Sequence, residues 1–233
     1  MKKKILNRLI KKSNFTKAEI ERGVGLLNSL KILVNVLYAF LIFQVFLILP
    51  RPDDPELEYI TLPQMFSEHI DQLIVIIVGI IMILTYWMQF NTQLGNLVRS
   101  SPKHAALAVI QMICLMMYLY FLRFDLEVEG LTLALQMESV FLALAGFIGI
   151  YNWKYAIKNE LTSEQIDEKE ERAIFYKILP EPIAALFSLP FASISPTAWT
   201  ISFLVIIPLG YFLNILKKTQ DNKSDIKNHD SEA

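Results

Sequence analysis

The feature that most constrains this chain is the recurrence of long stretches without a single charged side chain. Four such stretches occur, at residues 32–49, 72–98, 105–122 and 182–216. A helix that spans a bilayer needs about 20 mostly apolar residues, because the hydrocarbon core is about 30 Å thick and each residue rises about 1.5 Å. In a chain of 233 residues, these stretches leave no room for a soluble domain that could enclose them. We therefore predict an all-α, polytopic membrane protein.

The predicted fold has six transmembrane helices. The last uncharged stretch has 35 residues, which is too long for one ordinary span. Because proline disfavours helix in the residue before it, we expect a turn at residues 193–196 that divides this stretch in two. The predicted spans are residues 32–49, 73–90, 105–122, 131–153, 174–193 and 197–216.

Polar segments flank this predicted transmembrane domain, which covers residues 31–217. Residues 1–30 are basic and carry apolar side chains on one helical face, as in an amphipathic helix at a membrane surface. Within them, Thr16 and Glu19 have the spacing of a capping box. Residues 218–233 are polar, and their composition predicts a disordered tail.

Lysine and arginine are distributed very unevenly between the predicted loops. Twenty of the 22 lie on the side of the N-terminus, and only Arg51 and Arg123 lie on the other. Because basic loops remain in the cytoplasm, both termini are predicted to be cytoplasmic, in a multi-pass protein of the cell inner membrane. The opposite loops hold nine acidic residues. These acidic residues either have no function beyond following from the retention of basic residues on the cytoplasmic side, or they create a negative field that concentrates cations at a pore mouth.

The sequence contains no arrangement of residues that is typical of catalysis. Its three histidines, His69, His104 and His229, lack metal-ligand spacing, and its single cysteine, Cys114, lies inside an apolar stretch. No glycine-rich phosphate loop or hydrolase motif occurs. We predict that the protein is not an enzyme, uses no cofactor or metal, and has no nucleic-acid partner.

One charged residue, Glu138, lies within the predicted fourth span. A carboxylate inside a membrane is costly, so its presence points to a role. Glu138 is only about two helical turns from the predicted outer boundary. It is therefore either a structural or interfacial group near that boundary, or part of an ion pathway.

The first span combines two polar residues, Asn35 and Gln44, with an apolar stripe. Phe40, Phe43 and Leu47 follow one another at intervals of three and four, which places them on one helical face. Such a stripe usually faces lipid or packs against a neighbour. It is also what a hydrophobic pore constriction looks like, and Asn35 and Gln44 would then be polar groups of the pore or gate.

Several short motifs follow one another along the spans. They are Tyr38-Ala39-Phe40 leading into Leu49-Pro50-Arg51-Pro52, Tyr86-Trp87 closing the second span, Trp153-Lys154-Tyr155-Ala156 closing the fourth, and Ser195-Pro196 with Trp199 opening the sixth. With these motifs the chain resembles, over residues 29–216, the prokaryotic six-span branch of the lysosomal potassium-channel family known as transmembrane protein 175.

The resemblance implies a symmetric homo-tetramer in which the first span lines a potassium-permeable pore. In that family bulky apolar residues form the constriction, which here would be Phe40, Phe43 and Leu47. The chain agrees in containing no TVGYG-like filter.

The chain departs from the family at its hallmark positions. The RxxxFSD motif falls on Ser29, Leu33, Val34 and Asn35, and the histidine pair after the tryptophan of span two falls on Phe90 and Asn91. In the family these residues hold the helices and the gate together.

The expected function is that of a potassium-permeable cation channel, with the lipid bilayer and monovalent cations as partners. Its hydrophobic constriction would be formed by the first transmembrane helix. Because the hallmark residues are replaced, an alternative remains open. The chain would then be a non-conducting membrane scaffold or regulatory subunit on the same fold.

Overall fold

A computed structural model describes residues 16–47, 64, 70–128, 131–163 and 166–232. Over these ranges the chain is all-helical and contains no β-strand, which confirms the predicted fold class. Its α-helices are α1 (Lys17–Phe46), α2 (Ile70–Gly95), α3 (Pro102–Glu127), α4 (Thr132–Lys158), α5 (Glu168–Ile178), α6 (Pro180–Ser188), α7 (Pro196–Ser202) and α8 (Ile206–Glu232).

Six helical segments are long and apolar enough to cross a bilayer, as predicted. They are Lys17–Val45, Leu73–Gly95, Pro102–Glu127, Thr132–Lys158, Glu168–Ser193 and Pro196–Asp221. The fifth segment joins α5, α6 and the 3₁₀ turn Phe191–Ser193, and the sixth joins α7, the 3₁₀ turn Phe203–Val205 and most of α8.

Helix α1 is longer than the predicted first span. It begins with the expected capping box, in which Thr16 Oγ1 accepts a hydrogen bond from Glu19 N at 3.3 Å and Glu19 Oε2 accepts one from Thr16 N at 2.7 Å. From there it continues to Phe46. The helix predicted after Thr16 and the first span are therefore one element, because no proline interrupts residues 17–46. The amphipathic pattern of residues 1–15 and the prolines Pro50 and Pro52 lie outside the described residues.

Prolines divide the last two spans. Pro180 starts α6 directly after the bend at Leu179, a position where its missing N–H costs no helical hydrogen bond. Pro208 cannot donate to the carbonyl of Leu204, and the helix tightens into a 3₁₀ turn just before it. The turn predicted at residues 193–196 is present, with Ser195 Oγ accepting from Ala198 N at 3.0 Å.

The four basic segments of the chain meet at one end of the bundle, which we call the basic end. There the N–H of Ser100 donates to the carbonyl of Gly23 at 2.9 Å, and Val98 N donates to the carbonyl of Leu161 at 3.0 Å. These bonds join the start of α1, the loop between α2 and α3, and the segment after α4. Arg172 and Asp221, 3.3 Å apart, bring α5 and α8 to the same end.

The last helix continues to Glu232, whereas the polar composition of residues 218–233 predicted a disordered tail. The side chain of Asp221 explains the first turn of this extension, since its Oδ1 accepts a hydrogen bond from Arg172 Nε on α5. The ion pair is partly shielded from solvent, and it anchors the polar part of α8 against the bundle.

The most extensive helix contact joins α3 and α4, while α1 packs against α2 and α3, and α6 packs against α4. Small residues on α4 allow this close approach, as is usual between membrane helices. A Cβ atom added to Gly149 would lie 2.8 Å from Gln111 Nε2 on α3. A Cβ atom on Gly146 would lie 2.6 Å from the Cβ of Pro182 on α6 and 2.8 Å from the hydroxyl of Tyr86 on α2.

Replacing Gly146 by alanine is expected to destabilise the fold by about 1–3 kcal/mol, because the proline ring and the buried tyrosine leave no room for a methyl group. Gly210 is the matched control, since nothing lies within 4 Å of its added Cβ. Gly210→Ala should be neutral or slightly stabilising. Thermal unfolding in detergent measures both. Equal midpoints for the two variants would contradict the close packing of α2, α4 and α6.

Candidate functional site

Helix α1 presents two different faces. One face is buried against α2 and α3 and consists of residues spaced by three and four: Leu27, Leu30, Val34, Tyr38, Leu41 and Val45. The opposite face is apolar and exposed on the single chain. It consists of Ile32, Leu33, Val36, Phe40, Phe43 and Leu47, which we call the α1 stripe.

The three residues predicted to form a constriction all lie on the α1 stripe. Phe40 is 45% exposed, Phe43 is 57% exposed and Leu47 is 42% exposed. Apolar side chains exposed to this degree on a membrane helix face either lipid or another protein chain. Among the described residues, the structure therefore places these three side chains together on an exposed surface of α1.

The two polar residues of the first span do not both join the stripe. Asn35 is exposed. However, it is five residues before Phe40, which puts the two about 140° apart on a helix of 3.6 residues per turn. The spacing therefore separates Asn35 from Phe40. Gln44 is half-buried and lies at the edge of the stripe.

Gln44 and Phe40 share a small cavity with α3. The cavity has a volume of about 240 Å³ and is lined on the α3 side by Met116, Leu119, Tyr120 and Arg123. Arg123 Nε lies 2.7 Å from Glu127 Oε1, so the charge of the arginine is paired within its own helix. The cavity is thus largely apolar, with one amide and one paired arginine.

Glu138 is the most enclosed ionisable group near these elements. Its side chain is 0% exposed, and neither carboxylate oxygen has a hydrogen-bond partner among the described residues. It therefore does not reach the surface of the chain, as an interfacial residue would. A buried, unpaired carboxylate costs several kcal/mol in its charged form. The structure places Glu138 inside the bundle, on α4, away from the α1 stripe.

A second acidic residue, Asp125, lies near enough to Glu138 for their carboxyl groups to interact. The sequence prediction assigned Asp125 to an outer loop. In the structure α3 continues to Glu127, and Asp125 is buried in its last turn with Oδ1 unpartnered among the described residues. The carboxyl groups of Asp125 and Glu138 therefore both lie in the bundle interior, near the end of α3. The sequence did not indicate this pair.

A buried hydrogen-bond network links α4, α6 and α7. Trp199 Nε1 donates to Ser139 Oγ at 2.8 Å, Ser139 and Ser188 share a hydrogen bond of 2.6 Å, and Ser188 Oγ donates to the carbonyl of Ala185 at 2.8 Å. Sequence reasoning missed the two serines, although it singled out Trp199. Because every member is paired, the network fixes α7 against the bundle.

Two other motif residues, Tyr86 and Trp153, are buried and bonded across the bundle. Tyr86 donates its hydroxyl to the carbonyl of Leu142 at 2.8 Å, and Trp153 Nε1 donates to the carbonyl of Glu171 at 3.3 Å. Trp87 is exposed, as expected for an aromatic residue at a membrane interface. These motifs therefore mark helix contacts in this structure.

The described part of the chain contains no group of three or more histidine, cysteine, aspartate or glutamate side chains that could hold a metal ion. His104 is buried, with Nδ1 3.0 Å from Ser100 Oγ, and Cys114 is buried as a free thiol. The other two histidines are His69, which lies outside the described residues, and His229, whose side chain is not described.

In the potassium channel that the resemblance implies, Glu138→Gln is expected to leave the rate of flux within about twofold of the wild type, because the residue is enclosed and would act on the α1 stripe only through its field. Flux from liposomes containing the purified protein measures this. Complete loss of flux, with assembly intact, would mean that ions cross the interior of the bundle and not along α1.

The chain matches no protein-family profile, no curated protein and no solved structure. Its architecture is therefore defined by its own structure, in which the described residues form six helical segments long and apolar enough to cross a membrane.

Proposed function

We propose that four copies of this chain form a potassium-permeable cation channel, with α1 of each copy facing a central axis. The observation that carries the proposal is the α1 stripe. It is a continuous apolar face, opposite the buried face of the same helix, and it includes Phe40, Phe43 and Leu47. The proposal also draws on the motifs that resemble the transmembrane protein 175 family.

The single chain gives a physical reason for assembly. Its interior is filled by large side chains such as Trp153, Trp199 and Tyr86, so an ion path is better placed between copies than within one. Closed cyclic symmetry brings the same face of every copy to the axis. Rings of phenylalanine and leucine would then exclude water where the pore is narrow and keep it mostly closed at rest.

The orientation of the channel follows from charge. We place the basic end on the cytoplasmic side of a cell inner membrane, because basic segments stay in the cytoplasm. That end gathers the start of α1, the loop before α3, the segment after α4 and the end of α8. Cations would then enter from the side where the acidic loops lie.

A second candidate function is a non-conducting scaffold or regulatory subunit. The observation that favours it is that the described exposed residues of α1 between Ile32 and Leu47 are apolar except for Asn35. A face of this kind is also stable against lipid or against the helix of a different membrane protein.

Native mass spectrometry and ion flux together separate the two functions. The channel predicts an assembly of four chains of 26.8 kDa each, and potassium flux from liposomes that contain only this protein. A monomer or a two-fold dimer would exclude the proposed pore geometry. A tetramer that passes no potassium, even when Phe40, Phe43 or Leu47 is replaced by alanine, would favour the scaffold.

A further inference from the structure

A large cavity opens at the basic end. It has a volume of about 760 Å³ and lies between the start of α1, the loop before α3 and the last turn of α4. The backbone frames it tightly at Gly23, where an added Cβ atom would lie 3.1 Å from both the Cβ of Arg99 and the carbonyl oxygen of Ser100. Close packing between α1 and the loop therefore forms one wall of the cavity.

Basic side chains from all three segments line this cavity. They are Arg22 on α1, Arg99 in the loop and Lys158 at the end of α4. Lys103 lies beside it, with Nζ 5.2 Å from the centre of the Tyr155 ring, and Tyr155 is itself a lining residue. Two acidic residues, Glu19 and Glu160, also line the cavity, which leaves the basic groups in excess.

The two acidic residues have partners within the protein. The carboxylate of Glu19 accepts hydrogen bonds from the backbone N–H and the hydroxyl of Thr16, at 2.7 and 2.8 Å. Burial lowers the pKa of the Arg99 guanidinium, and the charges of Glu160 and Glu19 partly offset this lowering.

Arg99 is the fixed point of this charge cluster. It is only 7% exposed, and its guanidinium donates to the carbonyls of Asn159 and Glu160 at 3.3–3.4 Å. Arg22 and Lys158 are exposed and free to turn toward a ligand. A rigid guanidinium with two mobile cations around it suits a compact anion with several oxygen acceptors.

The cavity lies where three apolar spans end, so it is close to the depth of lipid headgroups, which occupy about 5–7 Å beyond the hydrocarbon on each side. Its wall includes Leu26 and Leu161 beside the charged groups. We propose that this cavity binds a phosphate group. The phosphate belongs either to a lipid headgroup or to a free phosphate ester. This proposal does not depend on whether the protein conducts ions.

Binding to three probes identifies the ligand chemistry, using the full-length protein stripped of lipid in neutral detergent. Phosphatidylglycerol carries both phosphate and acyl chains, diacylglycerol carries acyl chains only, and glycerol phosphate carries phosphate only. Native mass spectrometry counts bound lipid, and the shift of the thermal unfolding midpoint reports the soluble ester. We expect phosphatidylglycerol to bind at least about tenfold more tightly than diacylglycerol.

The test variant is the double substitution Arg22→Gln and Lys158→Gln, and both positions are exposed enough to tolerate the change. Its matched control is Lys17→Gln with Lys31→Gln. The control also removes two positive charges, both from residues of α1 that do not line the cavity. Arg99 is kept because its hydrogen bonds hold the loop to α4. The test variant should bind phosphatidylglycerol about tenfold more weakly than the control.

The outcomes assign the source of the phosphate or reject the site. If the test variant loses phosphatidylglycerol binding but not glycerol phosphate binding, the phosphate belongs to a lipid headgroup. If the test variant loses the binding of both compounds equally, the phosphate belongs to a free phosphate ester. The proposal is overturned if diacylglycerol binds as tightly as phosphatidylglycerol, if neither phosphate compound binds, or if test and control variants bind phosphatidylglycerol equally well.

Discussion

Phe43→Ala in liposome-reconstituted protein is expected to raise potassium flux on the order of tenfold and to weaken discrimination against sodium. In a four-fold assembly this substitution removes four aromatic rings from one level of the pore at once. A wider apolar ring admits water, and hydrated ions of both kinds then cross more easily. The measurement is the initial rate of flux from preloaded liposomes, per reconstituted chain.

Phe212→Ala is the matched control for this experiment. Phe212 lies on α8 and is 55% exposed, close to the 57% of Phe43, so the two substitutions remove similar apolar area. Ile42 would be a poorer control, because it is partly buried and packs against the core. We expect Phe212→Ala to leave the flux unchanged. If both variants behave alike, the α1 stripe has no special place in the pore.

Trp199→Ala is expected to lower the free energy of unfolding by about 3–5 kcal/mol. The indole is almost fully buried, and its Nε1 donates to Ser139, which in turn bonds to Ser188. Removing the ring leaves a large void and a disrupted polar network among α4, α6 and α7. Unfolding in detergent, followed by circular dichroism, measures the loss.

Trp87→Ala is the comparison for this second prediction, since it deletes the same side chain from an exposed position. Its cost should stay below about 1 kcal/mol. A cost for Trp199→Ala as small as that for Trp87→Ala would show that α7 is not held by the buried network.

The sequence predicts the membrane helices well, because uncharged stretches reflect the thickness of the bilayer directly. Helix ends are predicted less well. The fourth span was expected to end at residue 153, but α4 continues to Lys158, since polar residues at the interface stay helical. The same effect hid the burial of Asp125, which composition placed in a loop and the structure places in the last turn of α3.

The site is less visible in the sequence than the spans. The spacing of Phe40, Phe43 and Leu47 predicts a shared face, and in the structure all three side chains are exposed on α1. The same pattern cannot say which side faces the core, since both sides of α1 are apolar. The network of Ser139, Ser188 and Trp199 joins residues 49 and 60 positions apart, and the cavity at the basic end is lined by three segments. Such long-range contacts have no local signature.

The most direct test of the account places cysteine at position 43 in a chain that lacks its own thiol. Cys114→Ala supplies that background, because Cys114 is the only cysteine in the sequence. In a tetramer with α1 at the axis, Phe43→Cys puts four thiols around one pore, and soft thiolate ligands bind Cd²⁺ well. We predict that this variant passes potassium and that Cd²⁺ stops the flux reversibly, while the Phe212→Cys chain in the same background is insensitive. Equal flux with and without Cd²⁺ in a conducting Phe43→Cys variant would contradict the central claim that α1 lines the pore.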